Sequence, residues 1–344
     1  MAQCFNIIGI AVVLFVINND FIRPLSAADT KPVNISSLTL NTGKKIPSIG
    51  YGTSGVNGLE AALNSALEAG YRYIDTSTYY RNEKVMGNVI KKWITEGKLR
   101  REDLFLLTKL PFFGNRPEGV PKYLKQSLEN LQTDYVDLYL IHSPAGLKEN
   151  DGGLDSTTDI VAIWKEMEKQ MDAGLTKAIG LSNFNKTQIE RILKNSRIKP
   201  SSLQVELHAY LQQNELVDFC KENNILVTAY APLGSRSMTA YNANRGNNVT
   251  LPDVLENPIV KRIAAKHSKT AAQVVLRFDI QRGVIPIPRS YNTERIRQNI
   301  DIFDFELDDK DIEELKSLDA GIRFFKFSEM AKHPEYPFRG EVQK

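Results

Sequence analysis

From about residue 35 onward, short apolar runs alternate with longer stretches in which apolar residues recur every three or four positions, the pattern of strands followed by helices. Residues 37–40 and 46–48, joined by Asn41-Thr42-Gly43-Lys44, are expected to pair as a hairpin. Eight apolar runs follow, at 49–51, 73–75, 104–107, 136–141, 178–182, 203–207, 225–230 and 284–287. Helical periodicity lies between them, at 59–69 with Gly70 as a stop signal, from Asn82 and Glu83 to about Trp93, at 120–131 and at 159–173. Two further helices, 258–267 and 270–281, precede the eighth run, and two more, 292–299 and 308–318, come after it. Beyond Gly321 the chain is irregular. This alternation predicts an α/β fold, a (β/α)8 TIM barrel whose right-handed crossovers put the helices outside. The expected elaborations are the N-terminal β-hairpin, two extra helices and the C-terminal tail.

The first thirty residues differ. Ile7 to Ile17 is an apolar run of eleven, too short to span a bilayer but suited to a signal-peptide core. Ser26-Ala27-Ala28 offers small residues for cleavage, although Met1-Ala2-Gln3-Cys4 carries no Lys or Arg. The expectation is a signal peptide at 1–28 and a secreted barrel domain at 29–344 with no stable membrane span after processing. A cytoplasmic chain is the alternative. On a secreted chain Asn34-Ile35-Ser36 and Asn248-Val249-Thr250 would be glycosylation acceptors, and Asn185-Lys186-Thr187 matches the same pattern. A charged fraction of 25% and a net charge of +3 give no reason to expect nucleic acid or an acidic surface as partner. Cys4 and Cys220 cannot form a structural framework, and four scattered histidines lack ligand spacing, so no metal is expected.

Barrels of this kind carry their sites at the C-terminal ends of the strands. Those ends hold Asp75, Lys109, His142, Asn183, Gln204, Tyr230 and Arg289, with Tyr80 in the loop after Asp75. Singly each has an ordinary explanation: Asp75 or Asn183 as a cap, Gln204 as a core amide. As a set they are hard to attribute to packing. The types suit carbonyl reduction, because a carbonyl that accepts hydride becomes an alkoxide and needs a proton. Tyr80 would give it, but a phenol titrates at about 10 and is a slow acid at neutral pH. The Lys109 ammonium beside it would ease release of that proton. Asp75 would keep Lys109 charged and in place, and His142 would orient the carbonyl oxygen.

Tyr80, Lys109 and His142 stand five, thirty-four and sixty-seven residues after Asp75. This quartet resembles the catalytic tetrad of the aldo-keto reductase superfamily. Gly180-Leu-Ser-Asn-Phe184, Gln204-Val-Glu-Leu-His208 and Ala229-Tyr-Ala-Pro-Leu-Gly234 resemble further motifs of that family. The resemblance covers roughly residues 35 to 340. It implies a hairpin plugging the barrel bottom, a small-molecule carbonyl substrate and NADP(H) as cofactor. It implies that Ser182, Asn183 and Gln204 hold the nicotinamide carboxamide, that Tyr230 stacks on the nicotinamide ring, and that Leu233 is a further cofactor contact. Glu206 and His208 are read as structural. No G-x-G-x-x-G occurs; the adenine end is implied at 285–299, with Arg289 and Arg295 meeting the 2′-phosphate and Ser290, Asn292 and Asn299 beside them. Gln298 stands where Glu is usual in the family. A monomer is expected.

Where relatives often carry Trp, this chain has a loop of small residues at 52–58, Pro111 and Ser143; its two tryptophans, Trp93 and Trp164, fall on helices. Ser54, Tyr79, Phe112 and Ser143, with Phe113, are therefore expected to line a wide cleft suited to a bulky hydroxylated ketone, such as 3-dehydroecdysone or another steroid-like compound. The opposing expectation is that Phe324 and Phe325 of the tail fill the space. Residues 108–118 and the signal-like start resemble insect members, among them moth 3-dehydroecdysone reductases. Other readings are a general aldehyde or sugar reductase, or a non-catalytic cofactor-binding barrel like the potassium-channel β subunits.

Overall fold

The computed structural model describes residues 34–55, 58–236, 238 and 251–340. The predicted signal segment and the Asn248 sequon lie outside the described residues. Strands β1 (Ser37–Thr39) and β2 (Lys45–Pro47) pair antiparallel as the hairpin. The parallel sheet then runs in chain order through β3 (Tyr51–Gly52), β4 (Tyr73–Asp75), β5 (Phe105–Leu110), β6 (Leu138–Ile141), β7 (Ile179–Ser182), β8 (Ser202–Glu206), β9 (Leu226–Tyr230) and β10 (Val284–Pro286). Gly50 N–H donates to Pro286 O at 3.0 Å and Gly52 N–H to Pro288 O at 3.1 Å, joining first strand to last and closing the ring. This seam needs glycine. A Cβ on Gly50 would stand 2.6 Å from the Tyr73 ring, and one on Gly52 2.9 Å from the carbonyl oxygen of Ile287.

Around the ring lie α1 (Leu59–Glu68), α2 (Glu83–Thr95), α3 (Gly119–Leu131), α4 (Ile160–Asp172), α5 (Lys186–Asn195), α6 (Asn214–Glu222), α7 (Pro258–His267), α8 (Ala271–Gln281), α9 (Thr293–Ile300) and α10 (Asp309–Lys316). The apolar pattern gives no bounds for α5 and α6. Local chemistry starts α5: Asn185 caps the Gln188 N–H while Gln188 reaches back to the Asn185 N–H. The Asn185 amide also donates to Pro337 O at 2.9 Å, so this sequon is built into the fold. Helices α7, α8 and α10 bury Val260, Ile263, Val274, Phe278 and Leu315 in an apolar cluster of their own.

Strand alternation decides what reaches the site. Tyr73, Phe105, Leu107, Leu138, Leu140 and Ile285 point into the barrel and meet Leu40 and Ile46 of the hairpin, which plugs the bottom. Asn41 fastens that plug, donating to Pro200 O at 2.8 Å and accepting from Ser201 Oγ at 2.6 Å. Ile74, Leu106, Tyr139, Leu203 and Val227 point outward against the helices. The period of two then returns Asp75 and Lys109 to the inward face above Tyr73 and Leu107, and aims Gln204 inward between outward Leu203 and Val205. Strand β5 is longer than the apolar run at 104–107, because Thr108 and Lys109 stay paired with Tyr139 and Leu140 of β6.

Candidate active site

At the C-terminal rim, Lys109 is wholly buried and spends all three ammonium hydrogens. It donates to Asp75 Oδ1 at 2.7 Å, to Thr76 O at 2.9 Å and to the Tyr80 hydroxyl oxygen at 3.4 Å. Burial pulls Lys109 down, but Asp75 and then Tyr80 more than offset it and hold the ammonium above its ordinary value. Lysine offers no acceptor. Tyr80 oxygen therefore accepts from Lys109 and keeps its own hydrogen to donate; the Ser54 side chain is the other hydrogen-bonding neighbour of the phenol. The net direction for Tyr80 differs from the one read from sequence. Burial raises the phenol above its ordinary value, and the Lys109 charge offsets only part of that rise. Tyr80 keeps its proton at neutral pH.

The loop carrying Tyr80 is fixed on both sides. Thr53 donates through N and Oγ1 to Asp75 O, at 3.2 and 2.8 Å, and Asn82 donates to Thr53 O at 2.8 Å. His142, only 8% exposed, stacks on Phe112 with ring centres 4.6 Å apart and meets the Tyr80 ring edge-on at 5.8 Å. Burial, then the Lys109 charge, hold its imidazole well below the ordinary value, so it is neutral. Its Nδ1 lies 3.2 Å from Ser77 Oγ, a partner the sequence reading passes over.

The residues implied for the nicotinamide end do converge, partly on each other. Asn183, with φ 61°, donates to His142 O at 2.9 Å and to Ser182 Oγ at 3.2 Å, and accepts from the Tyr230 hydroxyl at 2.9 Å. Gln204 donates its amide to Asp75 Oδ2 at 2.7 Å. Leu233 is half-buried at the edge of two apolar clusters. At the other end, Asn292 caps α9 by accepting the Arg295 N–H at 2.9 Å. Arg295 and Arg289 are exposed, Ser290 is half-buried and Asn299 is buried. The Arg289 guanidinium donates to Ser54 O at 2.5 Å, tying the first βα loop to the segment after β10.

Of the expected cleft residues, Ser54 and Tyr79 are exposed and Phe112 lies under His142. Ser143 is buried, its hydroxyl accepting the Ala145 N–H at 3.1 Å, so it turns into its own loop. Phe113 turns toward Tyr123 of α3. Both tryptophans are engaged elsewhere, Trp93 donating to Asn64 Oδ1 at 2.7 Å and Trp164 to Ile198 O at 3.0 Å. The tail does fold in. Phe324 packs on His208, Phe325 meets Tyr230 edge-on at 5.5 Å, and Phe327 stands 6.1 Å from Phe112.

Glu206, read from sequence as structural, is the tail's anchor. Its wholly buried carboxylate accepts the Phe324 N–H at 2.6 Å and the Phe325 N–H at 2.9 Å, with His208 Nε2 at 3.1 Å. An acid closing an apolar strand, two residues on from inward Gln204 and so on the same face, was the signal available for it.

The donor set fits NADP(H): an aromatic ring and amides at the barrel mouth, and two exposed arginines at a capped helix N-terminus for a phosphate. A protonated phenol beside a neutral imidazole at that mouth is the equipment of an NADP-dependent oxidoreductase that reduces carbonyls. The family model described as the aldo/keto reductase family matches residues 48–320, and the chain belongs to that family. It is similar to dihydrodiol dehydrogenase 3 of Bos taurus, 42% identical over 317 residues, covering 88% of this chain and 97% of that protein. It is similar to prostaglandin F synthase 1 of Bos taurus, 42% identical over 320 residues, covering 88% and 98%. Among solved structures, an aldo-keto reductase complexed with NADPH matches with a TM-score of 0.82 at 39% identity, over 89% of this chain and 94% of that one. Aldose reductase from Schistosoma japonicum matches at 0.80 and 39%, over 90% and 100%. Among the described residues no helix is long and apolar enough to cross a membrane.

Proposed function

We propose that this reductase uses Tyr80 as proton donor and acts on a bulky ketone bearing hydroxyl groups, a steroid-like compound, in preference to a short aldehyde. The observation that carries the first part is the direction of the Lys109–Tyr80 hydrogen bond, in which the phenol oxygen accepts and so keeps its own hydrogen to donate. NADPH, when bound, supplies the hydride. Tyr80 gives its proton to the oxygen that becomes an alcohol, and Lys109, held by Asp75, steadies the phenolate left behind. His142, neutral, donates a hydrogen bond that orients the carbonyl oxygen. Tyr230 offers a ring face, and Gln204 an amide oxygen, for the nicotinamide end.

The substrate reading rests on the walls of the cleft. Tyr79, Phe112 and Phe327 form an aromatic side, no tryptophan narrows the mouth, and exposed Ser54 supplies a polar rim. Ser143 adds nothing to that rim, since its hydroxyl is used within its own loop. Phe324 is withdrawn against His208, which leaves Phe325 as the tail residue beside Tyr230. The test is kcat/KM with NADPH for a hydroxylated 3-ketosteroid against a short aldehyde. A tenfold advantage for the ketosteroid is expected. A tenfold advantage for the aldehyde overturns the substrate reading while leaving the reductase itself intact.

A further inference from the structure

Ser77 sits two residues after Asp75 and is wholly buried, in extended backbone with φ −163° and ψ 145°. Its oxygen accepts the Tyr79 N–H at 3.2 Å, which starts the short 3-10 turn carrying Tyr80. The same oxygen lies 3.2 Å from His142 Nδ1. A serine hydroxyl has one hydrogen to give, and a neutral imidazole has one nitrogen that donates and one that accepts. Among the described residues the Ser77 hydroxyl has one acceptor within reach, and that is Nδ1. Were Nδ1 to carry the hydrogen instead, the Ser77 hydrogen would be left buried without a partner, an arrangement that buried hydroxyls avoid. The satisfied arrangement is therefore Tyr79 N–H to Ser77 Oγ, and Ser77 O–H to His142 Nδ1.

That chain leaves the His142 hydrogen on Nε2. Phe112 stacked on one face of the ring and Tyr80 edge-on to it hold the imidazole plane. We infer that Ser77 is a positioning residue, which fixes His142 in the Nε2–H tautomer and so makes it a hydrogen-bond donor to the substrate oxygen. Which ring nitrogen faces a ligand is set by the hydrogen bond that the other one makes. One short segment thus sets two partners of the carbonyl. Ser77 shapes the turn that delivers Tyr80 and, through its hydroxyl, sets the tautomer of the imidazole opposite.

The part of the inference that concerns the substrate rests on the proposed role of His142; the tautomer does not, and the two are measured separately. Nitrogen NMR of 15N-histidine-labelled enzyme bound to NADP+ reads the tautomer directly, with the His142 signal assigned by its loss in His142→Asn. Wild-type enzyme is expected to hold one neutral tautomer, protonated at Nε2. Ser77→Ala removes a single oxygen and should give mixed tautomers, with kcat/KM for a ketone down about tenfold, the order of one lost hydrogen bond, and NADPH affinity unchanged. Ser77→Thr keeps a hydroxyl in a backbone conformation that suits β-branching, and should restore both. An Nδ1–H tautomer in the wild type overturns the inference without any variant. So does a Ser77→Ala enzyme that keeps the pure Nε2–H form. Mixed tautomers with unchanged kcat/KM would support the Ser77 assignment and instead remove His142 from the proposed reaction.

Discussion

Gln204 reaches across the barrel mouth from β8 to donate to Asp75 of β4, amide to carboxylate, at 2.7 Å. Asp75 Oδ1 is already taken by Lys109 at the same distance, so both carboxylate oxygens are held and the group cannot rotate. A carboxylate accepts and does not donate, so the amide nitrogen must face it and the Gln204 oxygen is left for a bound ligand. The acid thereby joins Gln204 to the lysine under the phenol.

Tyr80→Phe tests that assembly at its working end. The variant loses the proton and little volume, so turnover should fall by at least about two decades while NADPH binding persists. Single-turnover hydride transfer and a fluorescence titration with NADPH separate the two. Near-normal turnover would sink the assignment of Tyr80.

The two arginines can be told apart. Arg289 also grips Ser54 O, whereas among the described residues no hydrogen bond ties the Arg295 side chain to the first βα loop. Loss of one charge-assisted phosphate contact costs on the order of 1.5–3 kcal/mol, about ten- to a hundredfold in affinity. Arg295→Ala should weaken NADPH by that factor and leave NADH nearly unchanged. Arg289→Ala should weaken NADPH at least as much and NADH slightly, because the loop is released as well. Equal losses for both cofactors in Arg295→Ala would mean that this arginine does not read the 2′-phosphate.

Glu206→Gln keeps the volume of the tail anchor but can accept fewer N–H groups. A backbone N–H left facing an amide NH2 costs on the order of 1–3 kcal/mol. Amide hydrogen exchange at Phe324 and Phe325 should speed up at least tenfold, while amides within β8 keep their rates. KM for a bulky ketone should rise more than kcat falls. Unchanged exchange at both tail amides would show that the carboxylate does not hold the segment.

Asp279 of α8 is wholly buried with neither oxygen hydrogen-bonded, and burial pushes its carboxyl up to about 8, with Arg282 pulling the other way. The folded protein therefore keeps this proton over a pH range in which the unfolded chain, at about 3.9, has lost it. Stability from this group is fully present below about pH 4 and is lost as pH rises through about 8, at roughly 1.4 kcal/mol per unit where the difference is complete. Asp279→Asn should remove that slope. Urea unfolding at pH 5, 6.5 and 8 should show its advantage over the wild type growing with pH. A constant difference would place the carboxyl at an ordinary value.

The parts of the site readable in the chain were those fixed by strand period. Asp75, Lys109 and His142 each end or closely follow an apolar run, Gln204 stands within one, and an inward face every second residue is a property of sequence alone. What escaped depends on contacts between distant segments. Gln204 meets Asp75 across the barrel, Glu206 meets residues more than a hundred positions later, and Ser143 turns its hydroxyl into its own loop. The extension of β5 through Thr108 and Lys109 was set by its neighbour β6. The direction of the Tyr80 shift needed the depth of burial, which no spacing supplies.

The glycine seam between β3 and β10 has a consequence for how the protein is made. The ring closes between segments far apart in the chain; the neighbouring Arg289–Ser54 contact spans 235 residues. Parallel strands joined over such distances pair slowly, and unpaired strand edges recruit other chains. A nascent chain thus carries an unmatched β3 edge until its final strand has emerged from the ribosome. If NADP(H) engages Arg289 and Arg295 as proposed, it favours the closed ring and by mass action draws late, half-zipped chains toward it. Cofactor present during refolding should therefore raise the yield of soluble barrels, acting as a template for closure as well as a reactant.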